Sequence, residues 1–531
     1  MRPHAYADLG ERDTLPSIVA RRAAATPDRV YLTDITAGAS LTFGEAHERF
    51  LIWADALRRA GVAPGDRVGV MLPNSFDAAS AWLGTAWLRG YEVALNTAFR
   101  GEILKYFLNY TGISLAIVAE RFLERFAEVV AEAPALRTVI VPDAKGRPPA
   151  IGSVRMLTRS EFLDGTRPAT DLAAPQPHDV MSITYTSGTT GPSKGVVLPW
   201  GMLTLGVALL DDLGPDDAFY SPFPMFHMSG KAAVAQGAYM NGRDVFREAF
   251  DTGSFWKDID AHRCTFTLLV PAMAHWLLAQ PPSADDRRHA LAKVLCTPIV
   301  PGIAERFGVS LRTHYGMTEA GNVMTRREVR DSSPSCGRPV PGYEVRLVDE
   351  HDYEVPTGEV GELMVRTGEP WRTCVGYWNM PEKTAEAWRN GWFHTGDAFR
   401  RDAEGNYFFV DRKKDALRRR GENVSSFEVE ALVASHPAVV ECAAIGVEIE
   451  LGEQEIKVCV VRRPGAELAA RELIEYLVPK MPRYMVPRFV EFVASLPKTE
   501  ATLRVQKAKL RENPRNENTW DREAAGVSLP R

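Results

Sequence analysis

Residues 186–195 read Thr-Ser-Gly-Thr-Thr-Gly-Pro-Ser-Lys-Gly, and they directly follow an apolar, strand-like run from Val180 to Tyr185. The three glycines allow a close approach of the backbone to an anion, and the hydroxyls and backbone N–H groups are phosphate donors. Lys194 adds a positive charge. The spacing is not that of a Walker A loop. The composition argues against an ordinary Ser/Thr/Gly surface turn, so the stretch predicts a phosphate-binding loop at the end of a strand.

The residues before this loop alternate between strand and helix patterns. Thr42 and Glu45 form a Thr-x-x-Glu capping box, and the apolar residues that follow lie on one face of a predicted helix over 42–61. Strand-like and helical segments then alternate, with strands at 68–72, 91–95 and 115–119 and helices at 78–88 and 102–110. Because parallel strands need crossover connections, this alternation predicts an α/β fold with parallel sheets flanked by helices.

The second half of the chain predicts two further parts. Short β-like runs with glycine turns, at 343–348, 361–366 and 407–410, indicate a small antiparallel β subdomain. From Phe427 the order is helix, strand, strand, helix, strand, which fits a compact α+β domain. A charged, apolar-poor segment, Asp411 to Asp415, separates the two. We therefore predict a large domain over 1–413 and a small mobile domain over 414–531.

Composition excludes several classes of protein. The 531 residues are 45% hydrophobic and 25% charged, as in globular rather than disordered chains. A net charge of −5 gives no overall attraction to nucleic acid. Neither a signal peptide nor a membrane span is apparent, which predicts a cytoplasmic protein. The six cysteines form no C-x-x-C pair, so free and mostly buried thiols are expected rather than zinc ligands or disulfides.

Four later motifs follow the phosphate loop in order. They are His314-Tyr315-Gly316-Met317-Thr318-Glu319, Thr395-Gly396-Asp397, Asp411-Arg412-Lys413-Lys414-Asp415 and Gly421-Glu422-Asn423-Val424-Ser425. Together with residues 186–195 they resemble the adenylate-forming superfamily of acyl-CoA synthetases, adenylation domains and luciferases. Two further stretches, 280–286 and 418–426, are similar to the crotonobetaine/carnitine–CoA ligase subgroup.

This resemblance implies a nucleotide site. It implies that ATP phosphates bind Thr186, Ser187, Gly188, Thr189, Thr190, Gly191 and Lys194, and that Glu319, with Thr186, holds Mg²⁺, a cation that prefers oxygen ligands. Tyr315 would pack on adenine, Thr318 would contact the α-phosphate or the acyl carbonyl, and Asp397 would accept the ribose hydroxyls. Arg412 would reach the ribose or phosphate. His314, Gly316, Met317, Gly421 and Glu422 complete the implied nucleotide-binding set.

The resemblance also implies how the acid and coenzyme A are handled. His227, in the segment Pro224-Met225-Phe226-His227-Met228, would line and gate the acyl pocket, although a histidine in an apolar stretch is also consistent with a core residue. Lys414 would be the hinge of the small domain. The six basic residues among positions 412–420 would face the phosphates of the adenylate and of coenzyme A, with a solvated basic turn as the alternative.

One expected residue is missing from the C-terminal motif of the family. There, a lysine bridges the substrate carboxylate and the α-phosphate during adenylation, but residues 496–507 place Leu503 or Arg504 at that position. Arginine keeps the charge but not the geometry of a compact ammonium. We therefore predict that Arg504 is the surrogate, with Lys498, Lys507 or another protein as alternatives. The predicted catalytic residues are Thr186, Lys194, His227, Thr318, Glu319 and Arg504.

The predicted function is an ATP-dependent carboxylate–CoA ligase that forms an acyl adenylate and then an acyl-CoA. A specialised enzyme that thioesterifies a preformed adenylate and a non-catalytic adenylate-binding protein are the alternatives, and light emission or carrier-protein loading is also consistent with these motifs. Pocket residues are expected at 227–233 and 291–300, where Lys231 either pairs with a substrate charge or points outward. The sequence identifies neither the acid nor the oligomeric state. A homodimer is one oligomeric state that it allows.

Overall fold

The computed structural model describes residues 9–529 except 187–193, 204–211, 222, 279, 298, 301, 328, 330–334, 413–416, 420–421, 425, 450–453, 464, 498–504 and 506. The chain divides into two compact units. The first comprises the residues up to Thr97, Phe107–Thr184 and Gly195–Asp411, and the second comprises Ala98–Tyr106, Tyr185–Lys194 and the residues from Arg412 onward. The domain boundary after residue 413 stays a prediction, and the predicted hinge, Lys414, lies outside the described residues.

The helices are α1 Leu15–Ala25, α2 Phe43–Arg59, α3 Phe76–Trp87, α4 Gly101–Thr111, α5 Leu123–Val129, α6 Arg159–Leu163, α7 Trp200–Leu203, α8 Met228–Met240, α9 Phe255–Ala261, α10 Pro271–Leu278, α11 Ile303–Phe307, α12 Pro381–Ala387, α13 Ser426–Ala434, α14 Ala470–Leu477 and α15 Lys507–Glu512. The predicted capping box starts α2: Thr42 Oγ1 accepts from Glu45 N–H at 3.2 Å, and Glu45 accepts from Thr42 N–H at 2.8 Å. None of the helices in the described ranges has the length and apolarity of a membrane span.

The strands are β1 Val30–Asp34, β2 Ala39–Thr42, β3 Arg67–Met71, β4 Tyr91–Ala94, β5 Leu115–Val118, β6 Thr138–Val141, β7 Arg155–Thr158, β8 Val180–Thr186, β9 Lys194–Pro199, β10 Ala218–Ser221, β11 Arg243–Phe246, β12 Phe266–Leu269, β13 Lys293–Cys296, β14 Ser310–Met317, β15 Gly321–Arg326, β16 Ser335–Pro339, β17 Tyr343–Val348, β18 Val360–Thr367, β19 Gly376–Tyr377, β20 Phe393–Arg401, β21 Tyr407–Arg412, β22 Leu417–Arg419, β23 Glu422–Val424, β24 Val439–Glu448, β25 Gln454–Arg462, β26 Phe489–Phe492 and β27 Trp520–Asp521.

Two large sheets carry the first unit. One has the strand order β19-β9-β8-β4-β3-β5-β6-β7, and the run from β8 to β7 is parallel. The other has the order β17-β18-β20-β21-β16-β15-β14-β13-β12-β10-β11-β1-β2. Its strands from β14 to β1 are parallel, which confirms the predicted α/β class.

The predicted antiparallel part is not a separate sheet. Strand β14 pairs in parallel with β13 on one side and antiparallel with β15 on the other. The antiparallel strands that follow therefore extend the edge of the parallel sheet. This edge-to-edge join depends on backbone pairing between distant segments, which the glycine-punctuated strand pattern does not reveal.

The second unit contains the predicted order of helix, strand, strand, helix, strand, realised as α13, β24, β25, α14 and β26. Strands β24 and β25 are antiparallel, and β26 joins β25 in parallel. A two-residue strand, β27, adds an antiparallel edge that the sequence pattern did not predict. The six cysteines are free thiols, and all but Cys442 are buried, as expected.

A buried ion pair ties α8 to the parallel sheet. Lys231 is 0% exposed, and its Nζ lies 2.5 Å from Glu92 Oε2 on β4 and 4.0 Å from the ring centre of Trp82 on α3. Ser182 on β8 donates to the same carboxylate oxygen at 2.8 Å. Burial lowers the pKa of Lys231, and the charge of Glu92 opposes that shift. Both sequence-based expectations for Lys231 were therefore wrong, because its partner is a carboxylate of the core.

We predict that Lys231→Met lowers the free energy of unfolding by about 3–5 kcal/mol, because it leaves the Glu92 carboxylate buried without its cation. The double variant Lys231→Met/Glu92→Gln should recover much of that loss. Urea unfolding measures both. Lys383→Met is the matched control, since its partner Glu386 is 55% exposed, and it should change stability by less than about 0.5 kcal/mol. An equal loss in Lys231→Met and Lys383→Met would contradict this account.

Candidate active site

Part of the predicted nucleotide site lies on the hairpin of β14 and β15 and on β20, which β16 and β21 separate from β15 in the same sheet. His314 to Met317 end β14, and Thr318 to Ala320 form the turn. A Cβ at Gly316 would lie 2.6 Å from the Gly321 carbonyl oxygen, so only glycine allows the two strands to approach here. The Tyr-Gly-x-Thr-Glu motif thus encodes a tight hairpin that brings Thr318 and Glu319 to the end of a buried strand.

Tyr315 and Asp397, which the sequence predicted as separate nucleotide contacts, are joined in the structure. The Tyr315 hydroxyl donates to Asp397 Oδ2 at 2.7 Å, and both residues are buried. The Tyr315 ring packs edge-on against Phe399 at 4.7 Å between ring centres. The tyrosine therefore orients the carboxylate that is predicted to accept the ribose hydroxyls.

The Thr-Gly-Asp motif positions the Asp397 side chain through its own backbone conformation and hydrogen bonds. Gly396 has a φ of 72°, a conformation that side chains with a Cβ rarely adopt, and its N–H donates to Glu362 Oε1 at 3.0 Å. Thr395 Oγ1 accepts from the Asp397 N–H at 3.1 Å and donates to the Leu363 carbonyl at 2.7 Å. Thr395 is required for its hydroxyl, Gly396 for its positive φ, and Asp397 for the carboxylate that accepts from Tyr315.

Glu319 is 7% exposed, and its carboxylate accepts a hydrogen bond from the Tyr377 hydroxyl at 3.1 Å. Burial and the nearby charge of Glu319 raise the pKa of Tyr377 well above its usual value, so the tyrosine stays a donor. Tyr377 lies on β19 and pairs with Val196 on β9, the strand that follows the predicted phosphate loop in sequence. Sequence reasoning missed Tyr377, because nothing in Gly376-Tyr377-Trp378 signals a partner 58 residues away.

His314 is held by Thr297, which follows β13. The Thr297 hydroxyl oxygen lies 3.1 Å from the His314 backbone nitrogen and 3.0 Å from the His314 Nδ1. The same hydroxyl is 3.1 Å from Thr313 Oγ1. The Cys296-Thr297 segment therefore fixes the position of the histidine ring.

A cavity of about 260 Å³ borders this hairpin. It is lined by Met202, Leu203, Phe219, Met228, Ser229, Ala232, Ala235, Gln236, Tyr239, Phe266, Leu268, Leu295, His314, Gly316, Met317, Thr318, Gly321 and Asn322. The expected pocket segment 227–233 contributes three of these residues, and the segment 291–300 contributes Leu295. His227 is not among the lining residues; it is the N-cap of α8, and its ring packs on Phe226 at 4.6 Å.

The start of α8 is locked by close backbone packing. A Cβ at Gly230 would lie 1.7 Å from the Pro224 carbonyl oxygen, so the helix can approach this loop only with glycine. The buried amide of Asn74 pins the same loop: its Nδ2 donates to the Phe223 carbonyl at 2.8 Å, and its Oδ1 accepts from the Met225 N–H at 2.7 Å. Asn74 was not predicted, because its partners lie about 150 positions further along the chain.

The structure leaves part of the predicted site undescribed. Ser187, Gly188, Thr189, Thr190, Gly191, Gly421 and Arg504 lie outside the described residues. Thr186 ends β8, Lys194 begins β9, Arg412 ends β21 and Glu422 begins β23. In the described part of the chain no group of three or more acidic, histidine or cysteine side chains forms a metal cluster. Mg²⁺ that binds mainly through substrate phosphates needs only one or two carboxylates from a protein, and Glu319 is the carboxylate predicted for it here.

Residues 19–378 match the family model for AMP-binding enzymes, and residues 428–502 match the model for the AMP-binding enzyme C-terminal domain. The chain belongs to the AMP-binding enzyme family. This AMP-binding enzyme is 32% identical over 454 residues to the crotonobetaine/carnitine–CoA ligase of Escherichia coli O45:K1, an alignment that covers 82% of this chain and 87% of the relative.

Solved structures of related enzymes support the same family assignment. An anthranilate CoA ligase in complex with anthranoyl-AMP is 26% identical with a TM-score of 0.68, over 96% of this chain and 98% of that one. The amide bond synthetase of Marinactinospora thermotolerans is 26% identical with a TM-score of 0.80, over 93% of this chain and 99% of that one. The AMP-binding enzyme is accordingly an ATP-dependent carboxylate–CoA ligase with ATP and coenzyme A as substrates, and the non-catalytic alternative is not favoured.

We predict that Tyr377→Phe weakens the binding of Mg·ATP to the enzyme, raising the KM for Mg·ATP about tenfold. The variant removes one hydrogen bond to a buried carboxylate, a contact of about 1.5–3 kcal/mol when the acceptor is charged. ATP–pyrophosphate exchange at varied Mg·ATP measures the change. Tyr353→Phe, at a residue that is 73% exposed, is the control and should behave as wild type. Identical KM values for the two variants would show that Tyr377 does not orient Glu319.

Proposed function

We propose that this ligase activates its acid in the 260 Å³ cavity beside the β14–β15 hairpin, and that the residues around Tyr315 and Asp397 bind the nucleotide. A carboxylate oxygen of the acid attacks the α-phosphorus of ATP, the bond to pyrophosphate breaks, and an acyl adenylate forms. The thiolate of coenzyme A then attacks the acyl carbonyl, and AMP leaves with the electron pair of the cleaved bond. The observation that carries this proposal is that Thr318 lines the cavity while Tyr315 and Glu319, on either side, hold buried polar contacts.

The proposed nucleotide contacts follow from the chemistry of each side chain. Asp397 accepts hydrogen bonds, as ribose hydroxyls require, and the loop Thr186 to Gly191 with Lys194 suits the phosphates. Glu319, supported by Thr186, would hold Mg²⁺, which when bound neutralises charge on the departing pyrophosphate. Arg412, Gly421 and Glu422 complete the proposed set. His227, at the N-terminus of α8, is proposed to gate the acyl pocket.

The surrogate for the missing lysine is proposed to be Arg504. Its competitor Lys507 has its Nζ 2.7 Å from Ser426 Oγ and 2.6 Å from Glu430 Oε1, so that ammonium is already engaged within the second unit. An arginine spreads its charge over a planar fork and does not reproduce a point charge between two oxygens. Adenylation is therefore the step that we propose to be slow.

We propose a large domain up to residue 413 and a small domain from residue 414 that turns about Lys414 between the two half-reactions. The basic residues at 412–420 would then serve the phosphates of the adenylate and of coenzyme A. A cytoplasmic location and a homodimer belong to the same proposal.

Glu319→Gln tests the proposed metal ligand. It keeps the size of the side chain and the acceptor for Tyr377 but removes the negative charge that attracts Mg²⁺. We expect Mg·ATP affinity, measured by calorimetry, to fall and turnover to fall about 10²- to 10³-fold, the usual loss for a preorganised electrostatic group. Glu359→Gln, a change at an exposed glutamate, is the control. Unchanged affinity and turnover in Glu319→Gln would rule out its assignment.

Arg504 is tested by comparing two routes to the thioester. Turnover from ATP plus acid requires adenylation, whereas turnover from a prepared acyl adenylate does not. We expect the adenylate route to be faster by at least about tenfold, and Arg504→Lys to accelerate only the ATP route. Arg511→Lys, on α15, is the matched control. Equal rates by both routes, together with an inert Arg504→Ala variant, would refute the surrogate role.

A further inference from the structure

Strand β20 departs from regular pairing with β18 at the Thr-Gly-Asp motif. On β18, Leu363 alone lies opposite the three residues 395–397, because the pairing shifts register between Glu362 and Met364. The motif is therefore a β-bulge, and a bulge changes the direction of the side chains that it carries. The direction of the Asp397 carboxylate depends on what holds this bulge in shape.

The side chain of Glu362 spans the bulge from the neighbouring strand. Its Oε1 accepts the Gly396 N–H at 3.0 Å, and Gly396 is the residue whose φ of 72° turns the chain within the bulge. Its Oε2 lies 3.6 Å from the Nδ1 of His394, the residue at which regular pairing resumes. One buried carboxylate thus contacts both the bulge and the residue just before it.

The imidazole of His394 lies between two carboxylates. Its Nδ1 faces Glu362 on β18, and its Nε2 is 3.7 Å from Oδ2 of Asp352, which follows β17. The His394 side chain is 4% exposed, and neither nitrogen makes a hydrogen bond within the described chain. Arg389, which precedes β20, contacts the same two carboxylates: its Nη2 lies 3.0 Å from Asp352 Oδ1 and 3.8 Å from Glu362 Oε2. The charged groups around the ring are therefore these two carboxylates and the guanidinium that joins them.

The protonated ring matches this environment better than the neutral one. A carboxylate oxygen only accepts hydrogen bonds, and a neutral imidazole has one donor nitrogen and one acceptor nitrogen. Neutral His394 would therefore direct a lone pair at one of the two carboxylates, whereas imidazolium directs an N–H at each. Asp352 is ionised, since the hydrogen bond from Arg389 lowers its pKa. With His394 protonated, two positive side chains balance the two carboxylates.

We propose that protonated His394 is a positioning residue for nucleotide binding. Its N–H holds Glu362, Glu362 holds the Gly396 N–H, and the bulge then directs Asp397 at the ribose hydroxyls. This inference rests on the proposed function, since it takes Asp397 as the carboxylate that binds ribose. Without the proton, one carboxylate faces a lone pair and the ring no longer fits between both. The hold on Glu362, and with it the Asp397 contact, therefore weakens as the pH rises.

The dissociation constants of Mg·ATP and Mg·2′-deoxy-ATP test the proposal, because their ratio reports the ribose contact and cancels the titration of the phosphates. Calorimetry from about pH 6 to about pH 9, where imidazole loses its proton, gives both constants. We expect the wild type to prefer ATP by at least about tenfold at the acid end, as one hydrogen bond to a charged group allows. This preference should fall by about threefold or more at the alkaline end. A residue that only maintained the core would change both affinities alike.

Two variants assign the effect to this chain of contacts. His394→Gln carries no positive charge, so its preference for ATP should be low and independent of pH. Glu362→Gln keeps an oxygen for the Gly396 N–H and adds an amide N–H that neutral imidazole can accept, so its preference should stay high at every pH. His351→Gln is the matched control, since His351 lies 3.6 Å from Glu350 but is 72% exposed, and it should keep the wild-type profile. If His394→Gln does not fold, the wild-type and Glu362→Gln profiles still decide.

The outcomes distinguish the role of His394 from the proposed ribose contact. Equal affinities of the wild type for the two nucleotides at every pH would remove Asp397 from the ribose and overturn both. A preference for ATP that neither pH nor His394→Gln changes would overturn the role of His394 and leave the ribose contact intact. A preference that still falls with pH in Glu362→Gln would overturn the link through Glu362.

Discussion

Parallel strands cannot be joined by tight turns, so their crossover helices return the chain to the same edge and every carboxyl end faces one way. The candidate site is built from this constraint. In the thirteen-stranded sheet the loop before α8 follows β10, Thr297 follows β13, and the turn Thr318 to Ala320 follows β14. Segments far apart in sequence therefore carry chemistry because the strands that precede them are parallel.

A second requirement shapes the interior: a buried charge or polar group needs a partner. Tyr315 supplies one for Asp397, Tyr377 supplies one for Glu319, and Lys231 and Glu92 supply each other. These contacts join two strands, a strand and a turn, and a helix and a strand, and they hold the carboxylates in place. Preorganisation of this kind is how an enzyme directs charge at a reacting centre without reorganising during the reaction.

The same requirement divides the site into two chemical environments. Glu319 and Asp397 lie by the hairpin and β20, where the nucleotide is proposed to bind, and both are already hydrogen-bonded. The described residues that line the cavity beside them include no aspartate, glutamate, lysine or arginine.

The sequence alone determined the α/β class, the capping box of α2, the order of elements in the second unit and the family, because each depends on residues close together in the chain. It also named Glu319 and Asp397. Only the tertiary structure revealed Tyr377, Asn74, the Lys231–Glu92 pair and the continuous thirteen-stranded sheet. Each of these joins segments that are distant in sequence, and a local pattern carries no information about which distant strand or side chain will become its neighbour.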